Sequence, residues 1–299
     1  MPTTLVDVVE NDGFGLTLDQ LEQLLQKEPV SYVVQGLLPA NDVHVAVGDS
    51  GLGKTPWAYQ LGLCVAAGKP FLGHEVRPSR VLYYDQENGS EEILQVSRAL
   101  CGHLGIHSFP KDFLVIANNG SPASVESAVA DCKPALVIID TLRALHPEAE
   151  ADNSSMGHLL QKLRATARES HCAILLLHHI RKAGEFGTPP LEDTPVLEWL
   201  QQAAGARALI NQTNTRIAFD APRSPASGAA LVMKSFIKLR GESGPVYLER
   251  VLDHHGSLKT PPLGSPWLQW DTPITGLLWN RTSSEPPLNH FAESGHSAT

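Results

Sequence analysis

The chain has 299 residues, 42% of them hydrophobic and 18% charged, with a formal net charge of −9. That length makes one large domain or two small ones, and an acidic balance excludes a surface coated in basic charge for duplex DNA. No apolar run approaches the roughly 20 residues that cross a bilayer, and the start, MPTTLVDVVENDG, has no basic and apolar secretory signal, so a cytoplasmic location without a membrane partner is expected.

Residues 1–14 carry acids and glycines without a period and read as a loose arm. Thr17-Leu18-Asp19-Gln20 then forms a capping box that opens a helix through Gln26. Leu18, Leu21, Leu24 and Leu25 make one apolar stripe on it, packing either on the chain's own domain or on a neighbouring subunit. Val30 to Leu38 leads through a Gly-Leu-Leu-Pro turn into Val43–Val47, an alternating β-branched strand.

Gly48, Asp49, Ser50, Gly51, Leu52, Gly53, Lys54 and Thr55 follow, matching the P-loop pattern G-x-x-x-x-G-K-[ST] at every fixed position. A helix-compatible run, Trp57 to Ala67, comes next, so the motif has its strand, loop, helix context. Glycines let the backbone fold around phosphate oxygens at the positive end of a helix dipole. Lys54 would reach the β and γ phosphates and Thr55 would hold Mg²⁺, so ATP with Mg²⁺ is the expected cofactor pair. Pro56 stands where such loops offer a further backbone N–H, which proline lacks.

Val81–Tyr84 reads as a strand whose carboxyl end delivers Asp85-Gln86-Glu87-Asn88-Gly89 beside the phosphates. Glu87 is the candidate to orient and activate the attacking water. A helix is predicted over 90–104, a strand over 113–116, and a helix from Ser121-Pro122 through Asp131. Ala135 to Thr141 is then a buried strand ending in Asp140, the Walker B pattern in which the last residue faces Mg²⁺, with Thr141 or Arg143 nearby.

The segment 142–155 is polar and acidic and reads as a mobile loop, after which Met156, Leu159, Leu160, Leu163 and Ala167 return to helix spacing. Cys172 to Leu177 is another buried strand, ending in His178-His179. Adjacent strand residues face opposite ways, which argues against a shared zinc, and the place at a strand's carboxyl end points to at least one of the two as a sensor of the γ-phosphate. Residues 181–199 contain Gly184, Gly187, Pro189 and Pro190 and read as a second flexible loop. A short helix near 205–210, a strand over 216–219, a turn over 221–228 and a strand from Leu231 to Leu239 follow. That last strand ends Lys238-Leu239-Arg240 and pairs with 244–252 as a hairpin. From Pro261 the composition shifts to proline, serine and isolated tryptophans, a tail either poorly ordered or packing as an arm on something else. Cys64, Cys101, Cys132 and Cys172 have no C-x-x-C spacing and read as reduced thiols.

Charge is uneven: residues 171–260 hold 10 Lys and Arg against 8 Asp and Glu, whereas residues 1–170 hold 12 against 21. A ring gripping one strand in a central channel needs few basic residues per subunit, so an acidic chain remains compatible with single-stranded DNA.

The order of these motifs resembles the RecA-like P-loop ATPase core, and within it the plasmid replicative helicases of the RepA type, related to the motor domain of DnaB. The resemblance covers roughly residues 30–255 and rests on the P-loop, the strands ending in Glu87 and Asp140, His178-His179-Ile180-Arg181-Lys182 and the late Lys-x-Arg. It implies an α/β fold with a mostly parallel central sheet flanked by helices and a C-terminal β-hairpin extension. The implied organisation is an N-terminal arm and helix over 1–29, the ATPase domain over 30–255 and a Pro/Ser-rich tail over 256–299.

The resemblance further implies a ring, hexameric in the family, that hydrolyses ATP and moves on single-stranded DNA. Glu87 matches the family's catalytic glutamate, Asp140 its Walker B aspartate and His178 or His179 its sensor. Lys238 and Arg240 resemble the basic pair inserted into a neighbour's nucleotide site, with Arg216 a weaker candidate, and the loops at 143–155 and 183–203 lie where the family contacts DNA. The acidic 143–155 loop, with Glu148, Glu150 and Asp152, and Pro56 depart from the pattern. The alternative is a nucleotide-gated regulatory or scaffolding ATPase of the same fold without unwinding activity.

Overall fold

The computed structural model describes residues 17–27, 30–117, 124–147, 153–180, 189–203, 207–223, 231–238, 240–250 and 279–281. Helix α1 (Leu18–Lys27) starts at the expected capping box: Thr17 N–H donates to Gln20 Oε1 at 2.8 Å and Gln20 N–H to Thr17 Oγ1 at 3.2 Å. Leu18, Leu21 and Leu25 of its apolar stripe are not buried against the chain's own core. Leu18 is 82% exposed and Leu25 58%.

Strands β1 (Tyr32–Val34) and β2 (Leu38–Pro39) form a small antiparallel pair. The alternating run then becomes β3 (Val43–Gly48), followed by α2 (Lys54–Ala67), which begins inside the P-loop motif. Next come β4 (Val81–Asp85), α3 (Ser90–His103), β5 (Phe113–Ala117), α4 (Val125–Cys132), β6 (Leu136–Asp140), α5 (Leu142–Leu145), α6 (Asn153–Glu169) and β7 (Ala173–His179). After a 3₁₀ turn at Leu191–Asp193 follow α7 (Val196–Ala203), α8 (Arg207–Gln212), β8 (Thr215–Asp220), β9 (Leu231–Ile237), β10 (Gly241–Glu242), β11 (Val246–Arg250) and β12 (Trp279–Arg281).

The main sheet has the order β12-β11-β9-β8-β3-β7-β6-β4-β5, with β10 paired to β9. From β5 to β8 every pairing is parallel; from β8 outward through β9, β11 and β12 every pairing is antiparallel. This is the mostly parallel sheet with a C-terminal hairpin extension expected of a RecA-like core.

Both faces are covered, which is why the central strands read as continuous apolar runs. In β6, Leu136 and Ile138 join the layer beneath α2 and α3, while Val137 and Ile139 join the layer beneath α4, α6 and α7. Trp57 of α2 fixes the first layer with edge-to-face contacts to Phe71 at 5.3 Å and Phe219 at 5.1 Å. Parallel strands flanked by helices bring all their carboxyl ends to one edge, where β3, β4, β6 and β7 deliver the candidate residues.

Three local expectations are corrected. The helix expected from Ser121 starts at Val125, with Ser124 as its cap through Ser127 N–H at 3.2 Å; residues 118–123 lie outside the described set. The expected loop over 143–155 is helical at both ends, in α5 and α6, with 148–152 and their three acids outside the described set. The expected flexible loop over 181–199 is folded from 189 onward: Leu191, Val196 and Trp199 are buried, and Leu191 N–H donates to Asp220 Oδ2 at 3.1 Å. Residues 181–188 lie outside the described set, as do the arm at 1–14 and most of the tail. Within the tail, β12 pairs antiparallel with β11 and buries Trp279.

Candidate active site

The P-loop leaves the end of β3, where Gly48 stands level with His179 of β7 and Phe219 of β8. A Cβ on Gly48 would lie 2.9 Å from Phe219 Cβ and 3.0 Å from its carbonyl oxygen, so only glycine fits between the strands. Gly53 precedes α2 with φ +91°, a left-handed conformation open to glycine, and α2 has no side-chain cap at that end. The first N–H groups of α2 have no partner within the helix and point to the loop, a ready anion site. Pro56 is the third residue of α2. It removes one of those donors without harming the helix, because a first-turn N–H makes no intrahelical bond.

Lys54 is buried, and its Nζ donates to Gly48 O at 2.9 Å and Asp49 O at 2.7 Å and lies 3.2 Å from His179 Nδ1. Burial pushes its ammonium down to about 8, opposed by the negative charges of Asp140, Asp49 and Glu87. His179 Nε2 in turn lies 3.9 Å from Glu87 Oε1, and the Thr141 hydroxyl donates to the same oxygen at 2.6 Å. Lys54, His179, Glu87 and Thr141, from four separate elements, thus form one connected set. His178, one step back along β7, is buried and by strand alternation faces the other way.

Beneath them, Asp85 and Asp140 stand side by side at the ends of β4 and β6. The Thr55 hydroxyl bonds to Asp140, and Tyr83 Oη donates to Asp140 Oδ2 at 2.8 Å. Burial raises the Asp140 carboxyl to about 7, helped by the neighbouring Asp85 and Glu87 charges and opposed by those two hydrogen bonds. A hydroxyl and a carboxylate in contact, beside a phosphate cradle, are the hard oxygen donors Mg²⁺ takes when phosphates and water complete its shell. Among the described residues there is no group of three or more His, Cys, Asp and Glu arranged to hold a metal by protein ligands alone. The Thr55 hydroxyl and the Asp140 carboxylate, in contact with each other, fit a nucleotide-borne Mg²⁺.

Two participants, Tyr59 and Tyr83, escape the sequence reading, and Asp85, expected beside the phosphates, takes a specific role. Asp85 accepts from the backbone N–H of Glu87 at 3.2 Å and of Asn88 at 2.9 Å, and so shapes the turn that carries Glu87. Tyr59 Oη donates to Asp85 Oδ2 at 2.7 Å, and its ring stacks on Tyr83 at 4.2 Å. The signal available was the Tyr83-Tyr84 pair before the strand-end Asp85; Tyr59, on α2, has no acid near it in sequence.

Lys238 and Arg240 are not brought to this site. They are exposed just beyond the end of β9, where Ile237 pairs with Thr215 at the start of β8, at the opposite end of the sheet from Gly48. The Arg240 guanidinium lies 4.9 Å over the Tyr32 ring. Arg216 is corrected: it is buried, its guanidinium donates to Ile210 O and, at 3.2 Å, to Asn211 O, and it lies 5.3 Å over the Phe236 ring. It ties α8 to β8 and β9 and does not project.

The sequence pattern of the AAA domain family matches residues 14–185. The chain is 27% identical over 162 residues to the DNA repair protein RadA of Halalkalibacterium halodurans, a match covering 52% of this chain and 31% of that protein. The chain thus spans about a third of the length of that relative. No helix among the described residues is long and apolar enough to cross a membrane. With the family pattern over more than half its length and the P-loop at the edge of a mostly parallel sheet, the chain belongs to the AAA domain family and is a RecA-like P-loop ATPase.

Proposed function

We propose that the protein is a Mg²⁺-dependent ATPase that works as a ring, hexameric by analogy with the plasmid helicases, and acts on single-stranded DNA. The observation that carries the hydrolytic part is the connected set of Lys54, His179 and Glu87 beside Thr55 and Asp140. Lys54 and the loop Gly48–Pro56 hold the phosphates, with Thr55 and Asp140 on the metal. Glu87, held by Thr141, aligns the attacking water and takes its proton. His179, in contact with both the phosphate-binding lysine and the base, supports a role in sensing the γ-phosphate.

Two observations support assembly. Lys238 and Arg240 lie too far along the strands to serve their own P-loop, and a basic residue supplied across an interface accelerates phosphoryl transfer by about 10³ to 10⁵. The exposed leucines of α1 need cover, which a neighbouring copy would supply. A second reading, a nucleotide-gated regulatory ATPase, is favoured by the folding of 189–203 into the core, which shortens one of the two segments available to grip DNA.

Steady-state ATP hydrolysis measured with and without single-stranded DNA, together with mass in solution, separates the readings. DNA-stimulated turnover by an oligomer supports the motor. Slow hydrolysis indifferent to DNA supports the regulatory ATPase, and no hydrolysis at all removes both.

A further inference from the structure

The P-loop also touches a residue of an edge strand, β12, far from it in sequence. Trp279 of β12 is 1% exposed, and its indole lies against Gly53. A Cβ on Gly53 would come within 2.7 Å of Trp279 Cζ2, so the ring occupies the space that a side chain there would need. Trp279 Nε1 donates to Gly53 O at 3.3 Å, the same carbonyl that accepts the first helical bond from Trp57 N–H at 3.1 Å. The main chain of Trp279 is held as firmly: its N–H donates to Gln60 Oε1 at 2.8 Å, and its carbonyl accepts from Gln60 Nε2 at 2.9 Å. Gln60 is itself buried on α2, two turns beyond the loop.

We propose that Trp279 is a positioning residue for the nucleotide site, acting through Gly53 to hold the P-loop backbone in its anion-binding form. The reading rests on the P-loop being that site. Gly53 is in a left-handed conformation immediately before Lys54, so its φ and ψ set where the Lys54 side chain and the first free N–H groups of α2 point. Glycine alone makes that conformation accessible but also leaves it loose. A flat indole on one side, hydrogen-bonded to the carbonyl, restricts it. Gln60 fixes the indole relative to α2, so loop and helix move as one piece. The contact reaches the loop from 226 residues away in sequence, from an edge strand that does not belong to the P-loop motif.

The test compares Trp279→Phe and Trp279→Ala with the wild-type full chain and Lys54→Ala. Binding of a slowly hydrolysed ATP analogue with Mg²⁺ is measured by calorimetry, kcat and KM by a coupled assay, and folding by circular dichroism. Trp279→Phe keeps a ring against Gly53 and the Gln60 clamp, and is expected to bind within about threefold of wild type, the size of one weak neutral hydrogen bond. Trp279→Ala is expected to bind roughly tenfold more weakly, with KM raised similarly and kcat at saturation within about twofold. Equal affinity in all three chains overturns the proposal, as does a loss in kcat alone. If Trp279→Ala does not fold, Gln60→Ala, which frees the Trp279 main chain and leaves the ring, is expected to weaken binding between these two limits; wild-type affinity in that variant overturns it. Wild-type chain binding no better than Lys54→Ala overturns the nucleotide-site reading itself, and this one with it.

Discussion

Thr141 donates its hydroxyl proton to Glu87 Oε1 across 2.6 Å, joining the residue after the Walker B strand β6 to the turn after β4. Glu87 is otherwise exposed enough to rotate away, with 44% of its side chain accessible. The bond therefore sets the direction in which the carboxylate presents its second oxygen. Glu87→Gln keeps the shape and the capacity to accept from Thr141 but removes the base. It is expected to lower kcat by about 10² to 10⁴ with little change in nucleotide affinity. Thr141→Val, which leaves the base in place but unaligned, is expected to cost less, roughly tenfold in kcat. Single-turnover hydrolysis in the two variants checks this; a Glu87→Gln enzyme with wild-type turnover would remove Glu87 from the reaction.

Lys54 is expected to carry the largest share of phosphate affinity, because its ammonium is already desolvated and held over the loop by two carbonyls. Binding phosphate replaces those neutral acceptors with charged ones, without a further cost of burial. Lys54→Ala should abolish measurable hydrolysis and weaken ATP binding at least about 100-fold. Unchanged hydrolysis in this variant would mean that the P-loop is misassigned.

The fold was legible wherever a single period governed a segment. The runs at Val43, Val81, Leu136 and Ala173 are apolar on both faces and end in Gly48, Asp85, Asp140 and His179, so strand identity and the edge carrying the site could both be read. The 189–203 segment was misread because Pro189 and Pro190 dominate its start, whereas Val196, Trp199 and Leu200 are spaced for one helix face. Trp279 was hidden for a different reason. A lone tryptophan in a proline-rich tail has no local period, and what buries it, Gln60 and Gly53, lies more than 200 residues away. Likewise the choice between His178 and His179 needs the register of β7 against β3, which no single strand reveals.

His44 predicts how stability depends on pH. It is fully buried in β3; its Nε2–H donates to Pro39 O at 2.8 Å and its Nδ1 accepts from Thr215 N–H at 3.2 Å, so the neutral ring is satisfied on both sides. Burial pushes its folded value down to about 4 from 6.5, against the partial opposition of Asp42. The unfolded chain therefore binds a proton in this window that the folded chain refuses, and stability is lost as pH falls from 6.5 toward 4. The loss amounts to about 3 kcal/mol at one pKa unit per 1.36 kcal/mol. Asp42, whose carboxyl is held below 3.8 by hydrogen bonds from Asn214, Val43 and Arg164 that outweigh its burial, acts only at lower pH. Urea unfolding at pH 7, 6 and 5 should show a shallower slope with pH for His44→Gln than for wild type, on a lower overall stability. Parallel profiles would place the pH dependence elsewhere.

Arg240 tests whether the active site is shared. Thr215, level with His44, marks the end of the sheet near which Arg240 sits, whereas the P-loop leaves from Gly48. The gap along the strands is roughly 13 Å at about 3.3 Å per residue, and the side chain is turned onto Tyr32 of its own chain. A direct effect on hydrolysis must then be exerted on another copy. Arg240→Ala is expected to lower kcat by about 10³ or more while ATP affinity and mass in solution stay the same. Mixing it with Lys54→Ala gives the decisive reading. One variant keeps an intact P-loop and lacks the arginine; the other keeps the arginine and lacks the lysine. If the residue acts across an interface, mixed assemblies contain interfaces with both parts, and activity returns although each variant alone is inactive. If Arg240 serves only its own chain's stability, through the stack on Tyr32, mixing restores nothing and the loss in Arg240→Ala tracks a lower melting temperature.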